Sequence, residues 1–159
     1  MRMSEIVEWG LHCALTLAWL EDEAPVSAAD LAAMFELPPA YLNKGLQALV
    51  RAEVLVSSPG ARGGFRLARH PREITLLDVV TAIEGPEPAF RCTEIRQRGA
   101  GRARPARDFT RPCGIALAMQ RAELAWRQEL KAQTLADLMT AAPRAAADQA
   151  RCWYEQRSR

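Results

Sequence analysis

The sequence predicts a mostly α-helical fold, a winged helix-turn-helix with a long C-terminal dimerisation helix. Three observations carry that expectation. Two short amphipathic segments flank Leu37-Pro38-Pro39, two β-rich runs flank a glycine- and arginine-bearing turn, and an apolar periodicity continues from Ile115 to Gln133.

The elements follow in order. Ser4 is a good N-cap, and Ile6, Val7, Leu11, Ala14, Leu15 and Ala18 keep helical spacing, which predicts a first helix to about Leu20. Ser27 caps a short second helix through Leu31, Met34 and Phe35, which the prolines are expected to break. Pro39 suits the first position of a third helix carrying Tyr41, Leu42, Leu46, Leu49 and Val50. Val54–Val56 and Phe65–Leu67 read as strands, and the turn between them holds three glycines and Arg62. That is a hairpin wing. Thr75 caps a fourth helix, Leu76 to Ile83, closed by Gly85-Pro86. Arg91 to Arg111 has no apolar period and reads as a loop. Thr134 caps a last short helix at Leu135 to Met139. The Ala- and Arg-rich end past Pro143 is expected to fray, with room for a helical turn or two between Ala145 and Tyr154. The expected organisation is a DNA-binding domain over 1–85, a ligand loop over 86–112, a dimerisation helix with a short following helix over 113–141, and a tail over 142–159.

Composition narrows the class. At 159 residues the chain is expected to form about one domain with room for an appendage, and 49% hydrophobic content lets it bury a real core. It has no run of eighteen apolar residues and no signal-peptide order, so cytosolic residence without a membrane partner is expected. A net charge of +2 does not by itself indicate nucleic acid, but its distribution is uneven. Between Arg91 and Arg111 there are seven arginines against Glu94 and Asp108, an excess of five. Four cysteines without a CxxC argue against a disulfide framework, a zinc ribbon or thioredoxin-like chemistry. Cys13, in an apolar helical run, reads as a small core hydrophobe, and Cys152 has no partner motif.

Four side chains remain that could hold a metal centre. Glu8 and His12 are four apart and share a helix face, and Cys92 and Cys113 flank the arginine-rich loop. Two thiolates, a carboxylate and an imidazole suit a small iron–sulfur cluster or a zinc ion. Each also has a plainer reading: Glu8 as a first-turn carboxylate favouring the helix dipole, His12 as a hydrogen-bonded core histidine. For DNA, phosphate contacts are expected from Lys44, Arg62 and Arg66, with Gly63 beside the wing arginine. Base reading is expected from Ala40, Tyr41, Asn43 and Lys44. Arg62 suits a narrow minor groove. Asn43 reads either as an adenine reader or as a solvated helix residue.

The N-terminal helix, "PAYLNKGLQALVRAEVL", "GARGGFRLAR" and "EITLLDVVTAIEG" occur in the order found in the iron–sulfur-sensing winged-helix repressors, the IscR- and NsrR-like family, and the chain resembles that family from about Met1 to Ala141. "VEWGLHC" and "PAFRCTEIRQRG" look most like its redox-responsive members. The resemblance implies a homodimeric repressor that binds double-stranded operator DNA and has neither enzymatic activity nor a small-molecule substrate. The family usually places three cysteines in the loop. Here the position of the middle one, four before Cys113, is Phe109. What the resemblance then implies is a [2Fe–2S] cluster held by Cys92 and Cys113 of one subunit and Glu8 and His12 of the other. Trp9, next to Glu8, would transmit a change at the cluster to the helix-turn-helix, or serve as a plain core or interface tryptophan. Two further readings stay open: an iron-free switch in which Cys92 and Cys113 form a disulfide, and a small iron–sulfur electron carrier.

Overall fold

The computed structural model of the protein describes residues 3–22 and 25–157. The last two residues of the expected tail lie outside that range. The chain divides into two compact units, Arg2–Pro86 with Leu130–Arg159, and Glu87–Glu129.

The larger unit is the winged helix-turn-helix. Helices α1 (Glu5–Trp19), α2 (Ala28–Met34) and α3 (Pro39–Arg51) are followed by strands β1 (Leu55–Ser58) and β2 (Gly64–Leu67), a 3-10 turn at Pro71–Glu73, and α4 (Leu76–Glu84). Leu31, Leu42, Leu46, Leu49, Leu55, Ile74 and Leu135 are fully buried and form the centre of the core with Cys13 and Val79. Hydrophobic burial of this kind is the main force holding so small a unit together.

Helix ends explain the tight turns. Ser27 accepts a hydrogen bond from the Asp30 amide at 3.0 Å and starts α2. That helix closes before the prolines, because Glu36 takes a left-handed conformation (φ 52°) and the Leu37 amide donates back to the Ala32 carbonyl at 2.8 Å. Pro38 and Pro39 therefore start α3 rather than break α2. Glu53 (φ 56°) closes α3 in the same way, with the Val54 amide donating to the Leu49 carbonyl at 3.0 Å. Val54 is thus spent on the helix end, and β1 begins one residue later than the apolar run suggests.

In the wing, Leu55 pairs with Leu67 and Ser57 with Phe65. Val26 bridges to Phe65 by two amide–carbonyl hydrogen bonds of 3.0 and 2.7 Å. A Cβ on Gly64 would stand 2.4 Å from the Val26 carbonyl oxygen, so only glycine permits this approach.

Ser4 is the N-cap of α1, but its hydroxyl donates to the Glu84 carboxylate at 2.6 Å instead of accepting from the helix. Thr75 and Thr134 each form a capping box, with Asp78 and Asp137. The two caps lie side by side: the Leu76 amide donates to the Gln133 carbonyl at 3.0 Å and the Leu135 amide to the Ile74 carbonyl at 2.9 Å. Helix α6 (Leu135–Ala141) is thereby tied to the start of α4. The end of the chain is more ordered than its composition suggests. Residues Arg144–Arg157 form α7, with Ala150 and Tyr154 buried and Trp153 against the core. Arg157 pairs with Asp30 at 2.7 Å, and Arg151 donates to the Trp19 carbonyl at 3.2 Å.

In the smaller unit, the loop after α4 contains three short 3-10 turns, at Ile95–Gln97, Gly99–Ala103 and Ala106–Phe109. Helix α5 (Gly114–Ala132) follows and has no buried residue. Ile115, Leu117, Met119 and Leu124 are exposed, and Trp126 is half-buried. Among the described residues no helix is long and apolar enough to cross a membrane.

Candidate functional site

Helix α3 turns Leu42, Gly45, Leu46 and Leu49 inward, which leaves Ala40, Tyr41, Asn43 and Lys44 exposed on its N-terminal half. On the wing, Arg62 and Arg66 are exposed and Gly63 is half-buried. Arg66 stands opposite Val56 on the strand face away from Phe65, because successive residues alternate sides. Lys44, Arg62 and Arg66 make no ion pair among the described residues. Every side chain expected to meet DNA is therefore either accessible or part of the wing's tip.

Glu8 and His12 are both exposed on α1 and line one shallow groove with Ser4, Val7 and Leu11. The His12 ring lies 5.7 Å from that of Phe35, tilted by 51°. Between the two candidate ligands, Trp9 is half-buried and meets Tyr41 of α3 edge to face, with ring centroids 5.4 Å apart. The inner side of α1 is close-packed. A Cβ on Gly45 of α3 would stand 2.6 Å from Ile6, and one on Gly10 would stand 2.7 Å from Ile83 of α4. Interfaces this tight transmit displacement and do not absorb it. Tyr41 as the receiver of Trp9 was not legible in the sequence, since nothing in the spacing of the two helices marks that pair.

Cys92 and Cys113 are free thiols, Cys92 exposed and Cys113 half-buried. Cys113 immediately precedes α5, and its carbonyl accepts from the Leu117 amide at 3.0 Å. Its thiol lies below its ordinary pKa because the Ala116 and Ile115 amides donate to the sulfur, with the Arg96 guanidinium adding a smaller effect. Cys13 is the opposite case. Burial pushes it up to about 12, and it remains a neutral core residue as its sequence context predicts. Phe109 lies under two guanidinium groups, Arg96 at 5.6 Å and Arg104 at 5.3 Å from its ring centroid. Among the described residues no three His, Cys, Asp or Glu side chains gather at metal-binding distance. The expected division of four ligands between two subunits demands no such group within one chain.

The donor set fits an iron–sulfur group chemically. Two free thiols, one stabilised as thiolate by helix amides, are the usual cluster ligands, and α1 presents a carboxylate and an imidazole one turn apart.

The Rrf2 family model, described as an iron-dependent transcriptional regulator, matches residues 3–141. The chain belongs to the Rrf2 family of transcriptional regulators. Protein rrf2 of Nitratidesulfovibrio vulgaris is 30% identical over 146 residues, covering 87% of each chain. The BadM protein of Rhodopseudomonas palustris is 39% identical over 84 residues, 53% of each chain, so this chain spans about half the length of that relative. Among solved structures, CymR, the global cysteine regulator of B. subtilis, superposes with a TM-score of 0.68 at 26% identity, covering 90% of this chain and 99% of that one. The mostly helical winged fold of this Rrf2 protein is the fold of those regulators.

Proposed function

We propose that this Rrf2 protein is a homodimeric, DNA-binding transcriptional repressor whose operator affinity is set by the redox state of a [2Fe–2S] cluster. Cys92 and Cys113 of one subunit and Glu8 and His12 of the other hold it. The observation that carries the reading is the placement of Trp9: the residue between the two α1 ligands contacts Tyr41 of the recognition helix at 5.4 Å. Bound there, the cluster supplies a reversible one-electron change of charge. Glu8 and His12 place that change on α1, Trp9 passes the displacement to Tyr41, and α3 carries it to Asn43 and Lys44. Lys44, Arg62 and Arg66 hold phosphate, and Ala40, Tyr41 and Asn43 face base edges.

Replacing two of four thiolates by a carboxylate and a neutral imidazole leaves one less negative charge on the cluster, which makes reduction easier. The family's description as iron-dependent supports iron at this site. Freshly purified anaerobic protein should contain two irons and two sulfides per site, with a visible absorption that dithionite bleaches. Four irons per site, or a full chromophore in Cys92→Ala, would contradict the ligand set.

A second reading has its own support. CymR is by name a cysteine regulator, and the Ala116 and Ile115 amides lower the pKa of the Cys113 thiol without any metal. In that reading an oxidant takes two electrons from Cys92 and Cys113, two protons leave, and the new S–S bond changes DNA affinity. Iron-free protein whose operator binding responds to diamide and is restored by dithiothreitol would favour it. An electron carrier without DNA binding would be indicated by failure of any operator to bind.

A further inference from the structure

The loop that separates the two cysteines is organised around one side chain. Arg96 donates from both Nε and Nη2 to the Glu94 carboxylate, the second bond being 2.9 Å. Nη2 also donates to the Arg111 carbonyl at 3.1 Å, fifteen residues away. Its guanidinium lies over the Phe109 ring at 5.6 Å, and Arg104, paired with Asp108 at 3.3 Å, covers the same ring at 5.3 Å. Glu94 sits in a left-handed conformation (φ 51°) two residues after Cys92, and Arg111 lies two residues before Cys113. One guanidinium thus ties the segment leaving the first cysteine to the segment entering the second.

We propose that Arg96 is the positioning residue of the Cys92–Cys113 site, holding the two ends of the loop together and raising the reduction potential of the group bound there. This rests on the cluster reading above. A bidentate guanidinium–carboxylate pair has a fixed planar geometry that a lysine would not reproduce. Arg96 is about one-third exposed, so its charge is only partly screened by water. Its hydrogen bonds reach Glu94, two residues after Cys92, and the Arg111 carbonyl, two residues before Cys113, which places the positive charge in the neighbourhood of both cysteines. Phe109, which stands where the resembling family has a third cysteine, has a role in this arrangement as the platform under the guanidinium. One electron added from dithionite, with no bond made or broken, leaves one more negative charge beside that cation. The reduced state gains more than the oxidised state does, and the potential rises.

The test is an anaerobic redox titration of the full-length, cluster-loaded protein, followed by visible absorption. Arg96→Gln should lower the midpoint by an amount equal to about a tenfold change in the redox equilibrium, ~59 mV for one electron. Glu94→Gln should move it upward, since it removes the anion and leaves the cation. Arg96→Lys should recover part of the loss, because charge returns without the fork. A mere loosening of the loop would move both neutral variants in the same direction, so opposite signs support the proposal. If Arg96→Gln does not retain the cluster, Glu94→Gln and Phe109→Leu decide. An upward shift in the first with a downward shift in the second supports the assignment, and unchanged midpoints in both overturn it. Wild-type protein lacking a chromophore overturns the cluster reading and this proposal with it. A wild-type chromophore with the same midpoint in every variant overturns the proposal alone.

Discussion

Trp9 of α1 and Tyr41 of α3 meet edge to face, with ring centroids 5.4 Å apart and planes at 87°. Tyr41 is 44% exposed, so one side of its ring rests on Trp9 while the rest stays available to DNA. An aromatic pair of this geometry contributes about 0.5–1.5 kcal/mol beyond burial. That is the right size for a coupling element, since a tenfold change in affinity takes about 1.4 kcal/mol. Trp9→Ala should therefore retain the cluster and fold while narrowing the difference in operator affinity between oxidised and reduced protein. Fluorescence anisotropy on both redox states checks it; an undiminished gap in Trp9→Ala would remove Trp9 from the pathway.

Lys44 and Arg62 should govern affinity more than sequence choice. Each is exposed, and neither is held by a carboxylate among the described residues. Losing one phosphate contact lowers the slope of log K against log salt by about one. Arg62→Ala with unchanged affinity and salt slope would show that the wing does not touch the duplex.

Dimerisation should depend on α5. Ile115, Leu117, Met119 and Leu124 stand exposed on a helix without a buried residue, and exposed apolar side chains concentrated on one element mark a surface for association. Sedimentation of the apo protein at micromolar concentration should give a dimer, and Leu117→Glu with Leu124→Glu should give a monomer. A folded wild-type monomer at that concentration would place the interface elsewhere.

Helix α7 should contribute to stability. Tyr154 is 7% exposed within the core cluster, and Arg157 closes the helix onto Asp30. Tyr154→Ala should cost about 3 kcal/mol, as large-to-small changes in a core do, visible as a lower urea midpoint. A midpoint equal to wild type would mean that α7 docks without stabilising the unit.

The parts of this fold that sequence made legible are those with a strong local signature. Ser27, Thr75 and Thr134 start helices because a side-chain oxygen three residues before an amide is a local device. The wing was visible because glycines and β-branched runs are local too. The ends of α2 and α3 were less visible, since Glu36 and Glu53 hold left-handed positions that usually advertise themselves by glycine or asparagine. Helix α7 was underestimated because its alanines and arginines have weak periodicity, and only Ala150, Trp153 and Tyr154 reveal a buried side once the core exists. The candidate ligands could be picked out by residue type and spacing. The clamp of Arg96 on Glu94, Phe109 and the Arg111 carbonyl could not, because contacts inside an aperiodic loop leave no repeating trace in sequence.

In the proposed mechanism, redox state controls the hold on DNA. A unit charge change in a partly screened site interacts with a neighbouring charge by about 4 kcal/mol at close range, and only part of that must differ between two arrangements of α1. The direct measurement is a matched anaerobic titration of operator DNA with fully oxidised and fully reduced protein, at one salt concentration and equal cluster loading. Affinities that differ by about tenfold to a hundredfold are predicted. Equal affinities for the two states would contradict the account and leave gain or loss of the cluster as the switch.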